Sequence, residues 1–196
     1  DVPQAGRYGK AVMAQHPVAY WRMEDLEGPL IRDETGRHPA KAEAGVALGL
    51  PGADDRLGHQ PPALSSNNAF NEQGIHRSLH FAGGRLLLPL GSGDHYTLEG
   101  WLWNGLAPNA RAVTGYLYSR GEEGEVQARG EHLGIGGTAL PELAGRLFLF
   151  NGNRLDQVLG GRTTLTQKAW HHVALVREGS MVRVYLDGNR EPEISG

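Results

Sequence analysis

Two runs of strand-forming residues, three positions apart, constrain this chain more than any other feature. His171-His172-Val173-Ala174-Leu175-Val176-Arg177 and Met181-Val182-Arg183-Val184-Tyr185-Leu186-Asp187 are rich in β-branched and apolar residues, which suit a pleated, half-buried surface. Glu178-Gly179-Ser180 between them reads as a hairpin with glycine at its tight position. In the second run Val182, Val184 and Leu186 alternate with Arg183, Tyr185 and Asp187, so a period of two gives one face to a core and the other to polar groups. Asp187-Gly188 supplies the next turn. Glycine extends the pattern: 29 of 196 residues is about twice the usual share. With no collagen period it belongs in turns, and many turns imply many short strands.

Further strand candidates lie at 18–23, 78–82, 84–90, 95–104, 114–119, 131–136 and 145–151, with the hairpin strands at 170–178 and 181–187. One helix is expected over Tyr8–Gln15, ended by His16-Pro17 because a residue before proline is driven out of the α region. Residues 51–74 are mostly Pro, Gly, Asn, Ser, Asp and Gln and read as a long surface loop. Short strands joined by glycine turns favour an all-β fold, a two-sheet antiparallel sandwich or a barrel, with a short N-terminal helix.

Composition removes several functions. The chain has no cysteine, so disulfides, cysteine–zinc sites and thiol catalysis are excluded. A net charge of −3 without a basic run argues against nucleic acid. The longest apolar stretch, Leu86–Leu90, is far below the roughly 18 residues of a membrane span, so membrane insertion is not expected. The opening Asp1-Val2-Pro3 lacks a methionine, as expected of a piece of a longer precursor.

Five blocks in order carry a family resemblance: Pro17-Val18-Ala19-Tyr20-Trp21-Arg22-Met23-Glu24, Arg32-Asp33-Glu34-Thr35-Gly36-Arg37-His38, His95-Tyr96-Thr97-Leu98-Glu99-Gly100-Trp101-Leu102, Trp170-His171-His172-Val173-Ala174-Leu175-Val176-Arg177 and Val182-Arg183-Val184-Tyr185-Leu186-Asp187-Gly188. With them the chain resembles the LamG-like jelly-roll group of the concanavalin A-like lectin/glucanase superfamily. The resemblance implies a jelly-roll β-sandwich over residues 17–196, preceded by a lead-in at 1–16. It implies an extracellular, cell-surface or periplasmic place within a larger protein, recognition of a glycan or another protein domain, and in some members a structural Ca²⁺. Family members continue past the Tyr-Leu-Asp-Gly hairpin, whereas Gly196 lies nine residues after Asp187. The expectation is a sandwich short of its last strands, or closed by another segment. An open edge invites edge-strand self-association.

Three site chemistries follow. Glycoside hydrolysis needs two carboxylates roughly 5–9.5 Å apart; Glu24-Asp25-Leu26-Glu27 has its first two acids on opposite faces if extended, and Glu99 has no acid two residues away on either side. A β-glucan hydrolase is therefore the least favoured reading, and no enzyme activity is expected. Adjacent His171 and His172 face opposite sides of a strand and cannot chelate one ion as a pair. For Ca²⁺, Glu24 and Asp33 are the candidate ligands, although an Asx turn opened by Asp33 before Thr35-Gly36 is the favoured reading of that aspartate; Asp54-Asp55 is a weaker second cation candidate. Sugar binding needs aromatic platforms and a few planar polar groups. On 95–104, Thr97, Glu99, Trp101 and Trp103 share one face and Tyr96, Leu98 and Leu102 the other. Glu99, Trp101, Trp103, Tyr118 and Arg120 are the candidate ligand-binding residues, with Tyr116 and Asn151 nearby. In the alternative reading the 51–74 loop covers Trp101 and Trp103 as a small second core. The favoured function is a non-catalytic carbohydrate-binding module. The runner-up is a protein-interaction or structural module with no sugar ligand.

Overall fold

The computed structural model describes residues 6–53, 77–91, 93–121, 130–151 and 157–196. Most of the expected 51–74 loop, with Asp54 and Asp55, lies outside them. The described chain is mostly β, in four antiparallel sheets with one short α-helix. It forms two compact units, Asp1–Gly91 and Ser92–Gly196.

In the first unit, helix α1 spans Arg7–Ala14, and His16 leaves the helical region at a φ of 53° immediately before Pro17. Strands β1 (Leu30–Ile31), β2 (Ala40–Ala42), β3 (Val46–Pro51), β4 (Arg77–Phe81) and β5 (Leu86–Leu87) follow. They pair as a β1-β2-β5 sheet and a β3-β4 ribbon. Ile31, Ala40 and Ala42 are buried together, with Trp21, Met23, Leu48 and Leu79 packed against them. The strand expected at 18–23 is reduced to a bridge between Trp21 and Asp33. Met23 turns to a φ of 61°, and the Tyr20 N–H is taken by the Asp33 carboxylate instead of a strand ladder. The strand expected at 84–90 shrinks to two residues, in a stretch where Pro89 has no N–H to donate.

The second unit is built from β6 (His95–Trp103), β7 (Val113–Arg120), β8 (Glu131–Gly136), β9 (Arg146–Asn151), β10 (Val158–Thr164), β11 (Trp170–Glu178), β12 (Met181–Leu186) and β13 (Ile194–Ser195). One sheet runs β10-β9-β8-β7 and the other β13-β12-β11-β6. Leu133, Ile135, Leu147 and Leu149 of the first sheet pack with Val173, Leu175, Val182, Val184, Leu186 and Ile194 of the second in one core. Two antiparallel sheets joined through their apolar faces form a sandwich.

The hairpin read from sequence is present: Glu178 pairs with Met181, and Gly179 takes a φ of 62° that L-residues rarely adopt. β10 escapes the sequence reading because Gly160-Gly161 looks like a turn. Both glycines sit inside a strand because neighbours occupy the space of a side chain, Leu143 at Gly160 and Glu193 at Gly161. The segment after Asp187-Gly188 turns back, so that Ile194 and Ser195 pair with Val184 and Arg183. β12 is thus flanked on both sides.

Leu175 is fully buried and Met181 is 42% exposed. Leu175→Ala should lower unfolding free energy by about 2–5 kcal/mol, and Met181→Ala by no more than about 0.5 kcal/mol. Urea denaturation of both variants checks this; equal losses would contradict the core assignment.

Candidate functional site

Nine consecutive residue pairs join β6 to β11, from Trp170 opposite Trp103 to Glu178 opposite His95. The register places Tyr96 and Leu102 against the core. Thr97, Glu99, Trp101 and Trp103 therefore point outward, as the period of two requires. The same face receives Trp170, His172, Ala174 and Val176 from β11, then Tyr185 and Arg183 from β12.

The aromatic end of this face is tightly assembled. Trp103 and Trp170 have ring centroids 5.8 Å apart, and Trp101 and His172 4.9 Å apart, both pairs tilted. Such contacts between opposite residues are the usual unit of sheet stabilisation. Trp103 is 39% exposed, while Trp101 and Trp170 are half-buried. Glu99 stands one step along β6, its carboxylate 3.7 Å from His172 Nε2. Burial pushes the His172 pKa below its ordinary value, outweighing the opposing pull of the Glu99 and Asp187 carboxylates. A neutral imidazole beside an exposed carboxylate is the result.

The two histidines diverge as their adjacency requires. His171 turns inward and is buried, its Nδ1 2.9 Å from Asp187 Oδ2 and its Nε2 3.1 Å from the Thr166 carbonyl oxygen. The other Asp187 oxygen accepts the His172 backbone N–H at 2.8 Å. Asp187 itself sits at a φ of 51°, which aspartate tolerates better than most side chains.

Tyr118 and Arg120 do not join the tryptophans. Both belong to the opposite sheet and turn into the sandwich. Tyr118 packs on the core, its ring 6.1 Å from Tyr96. Arg120 lies over the Tyr96 ring, with Nε 3.1 Å from Glu131 Oε2. Glu131 is almost fully buried. It also accepts the Tyr96 hydroxyl and two N–H groups of Arg177, the latter at 3.0 and 2.5 Å. Strand β7 bulges between Tyr116 and Tyr118, a shift that strand alternation cannot foretell. Tyr116 is exposed on the outer face of that opposite sheet, near His132 and Phe148. The Asn151 side chain lies outside the described part.

In the first unit, the carboxylates of Glu24 and Asp33 are each taken up by neighbouring protein groups. Asp33 is buried and accepts N–H groups of Tyr20, Thr35, Arg37 and His38 and the Thr35 hydroxyl. Those five donors more than fill the roughly four lone-pair positions of a carboxylate. Burial alone raises the Asp33 pKa, but the hydrogen bonds from Thr35, Tyr20 and His38 prevail and hold it well below the usual carboxylate range. Glu24 is buried against Arg22. Among the described residues no three His, Cys, Asp or Glu side chains group to hold a metal. The contacts of Asp33 are those of an Asx turn.

Local sequence does not single out Trp170, Ala174 or Tyr185, and it presents His172 only as one of an adjacent pair. The signal lay in two segments, 95–103 and 170–178, each with aromatics at one end; only the register brings those ends together.

Two measurements check these assignments. Asp33→Asn should lower Tm by several degrees, equally with and without millimolar Ca²⁺. A calcium-dependent rise in the parent protein's Tm would overturn the turn assignment. For His172, the unfolded chain binds a proton near pH 6.5 and the folded chain only at lower pH. Its contribution is complete above pH 6.5 and is lost as pH falls toward the folded value. NMR titration of the imidazole should give a pKa below 6.5, and His172→Gln should flatten the loss of stability below that pH.

Comparison of the chain with family models, curated proteins and solved structures returns no match.

Proposed function

We propose that this chain is a non-catalytic recognition module that binds carbohydrate on the outward face of the β13-β12-β11-β6 sheet. The observation that carries the proposal is the Trp103–Trp170 pair, partly open to solvent and continuous with Trp101, His172 and Glu99. Indole faces stack on the C–H surface of a sugar ring, while a carboxylate and an imidazole accept or donate to its hydroxyls. Catalysis is disfavoured on this face. The positions flanking Glu99 on β6 are Thr97 and Trp101, and the residues opposite this stretch on β11 are Val176, Ala174 and His172, none of them acidic. Asp187, the carboxylate beside His172, is held by His171 and the His172 backbone N–H, and Glu178 is four residues along from Ala174, on the order of 13 Å, beyond the reach of a glycosidase pair.

In this reading the sandwich is a LamG-like jelly roll of the concanavalin A-like superfamily, carried by a larger secreted or cell-surface protein. The five sequence blocks support it, and three of them form β6, β11 and β12. No described helix is long and apolar enough to cross a membrane. A protein-binding role draws on a different place: Leu30 and Leu87 flank Lys41 across β1-β2-β5 and are 61% and 41% exposed.

Glycan-array binding followed by calorimetry tests the proposal. Trp103→Ala should weaken binding at least tenfold while changing unfolding free energy by only about 1 kcal/mol, since the ring is already partly solvated. Failure of the parent protein to bind any glycan would sink the carbohydrate reading and favour the protein-binding one.

A further inference from the structure

The polar end of the same face has a shape and a charge of its own. Glu99, Ala174 and Tyr185 are directly opposite one another on β6, β11 and β12. Neighbouring strands are about 4.8 Å apart, so the Glu99 and Tyr185 backbones stand roughly 9.6 Å from each other. Between them the only side chain is the methyl group of Ala174. A carboxylate and a phenol thus flank a notch floored by one carbon, and His172 closes it on the side toward the tryptophans.

Among the described residues, the charge of this notch has no lysine or arginine partner. Farther along the face, Arg183 is bound to Glu178 at 2.7 Å, and the two cancel. His95, beyond Thr97 on β6, lies 3.8 Å from Asp94. The cationic candidate facing Glu99 among the described residues is His172, which burial holds neutral at neutral pH. The Glu99 side chain is 46% exposed, so its carboxylate is open to an incoming ligand.

We infer that the Glu99–Ala174–Tyr185 notch is a subsite for an uncharged sugar unit, and that Glu99 selects against saccharides bearing carboxylate or sulfate groups. This rests on the carbohydrate reading above. A carboxylate is an acceptor only, so it takes hydrogen bonds from sugar hydroxyls and repels an anionic substituent. At a separation of about 5 Å near a solvated surface, that repulsion corresponds to roughly a three- to tenfold loss of affinity. It should shrink at high salt, because the group is exposed. Tyr185 stands opposite Ala174 on the strand beyond it, and its phenol is the second hydroxyl-reading group of the subsite.

The test is an array of neutral, uronate-containing and sulfated glycans, probed with the parent protein, Glu99→Gln and Tyr185→Phe at 20 mM and 500 mM NaCl. The expected result is binding concentrated on neutral glycans. Glu99→Gln should reduce the neutral-to-acidic signal ratio three- to tenfold at low salt and little at high salt. Tyr185→Phe should weaken neutral binding without altering that ratio. Glu99 is exposed, and an unchanged Tm confirms that its substitution leaves the fold intact. Parent binding mainly to acidic glycans, or an unchanged ratio in Glu99→Gln, overturns the inference and leaves the carbohydrate reading standing. No binding to any glycan overturns both.

Discussion

The pairing of β6 with β11 is the constraint on which the second unit depends. It sets nine residues of one strand against nine of the other, and each pair assigns one side to the core and one to the surface. A slip of one residue would send Trp101 and Trp103 inward and expose Tyr96 and Leu102. Burial of Leu175 and Val173 on the inner side resists that slip, as does the turn at Gly179. The outward strip of rings, imidazole and carboxylate is therefore a by-product of core packing. Its geometry is as firm as the core beneath it.

Two buried carboxylates show how this chain handles interior charge. Glu131 on β8 binds Tyr96 of β6 and Arg177 of β11, joining the two sheets, and Arg120 shares its second oxygen. A buried pair of this kind contributes little over a well-packed apolar substitute, but removing one partner leaves the others stranded. Its effect is to fix which ends of the sheets coincide. Asp33 solves a local problem instead, gathering the N–H groups of a loop that has no strand partners. Both carboxylates are engaged by protein donors.

Much of the second unit was legible in its sequence because its strands alternate. Val182, Val184 and Leu186 lie inward as their spacing requires, and the divided faces of 95–103 are those of the structure. Legibility ended where one residue's position depends on another strand. Arg120 reads as a polar residue beside aromatics, and only its pairing opposite Glu131 reveals an internal ion pair. Gly160-Gly161 reads as a turn because a close approach by Leu143 leaves no trace in local sequence. The 18–23 segment has strand composition, yet its backbone is claimed by an aspartate side chain 13 residues away. Ala174 shows the same limit in the site: a small residue gains meaning only from Glu99 and Tyr185 on either side.

Asp187 carries a consequence for anyone redesigning this protein. It lies in a tight turn, where Asn-Gly is a common and backbone-compatible replacement for Asp-Gly. Yet its two oxygens hold His171 on the core side and the His172 backbone on the outer side. The turn is thus a mechanical link between the interior and the exposed strip. An exchange that looks conservative by turn statistics would remove a charge from His171 and loosen the strand segment bearing His172. Loop optimisation here is site engineering, and a stabilised turn can come with a blurred recognition surface.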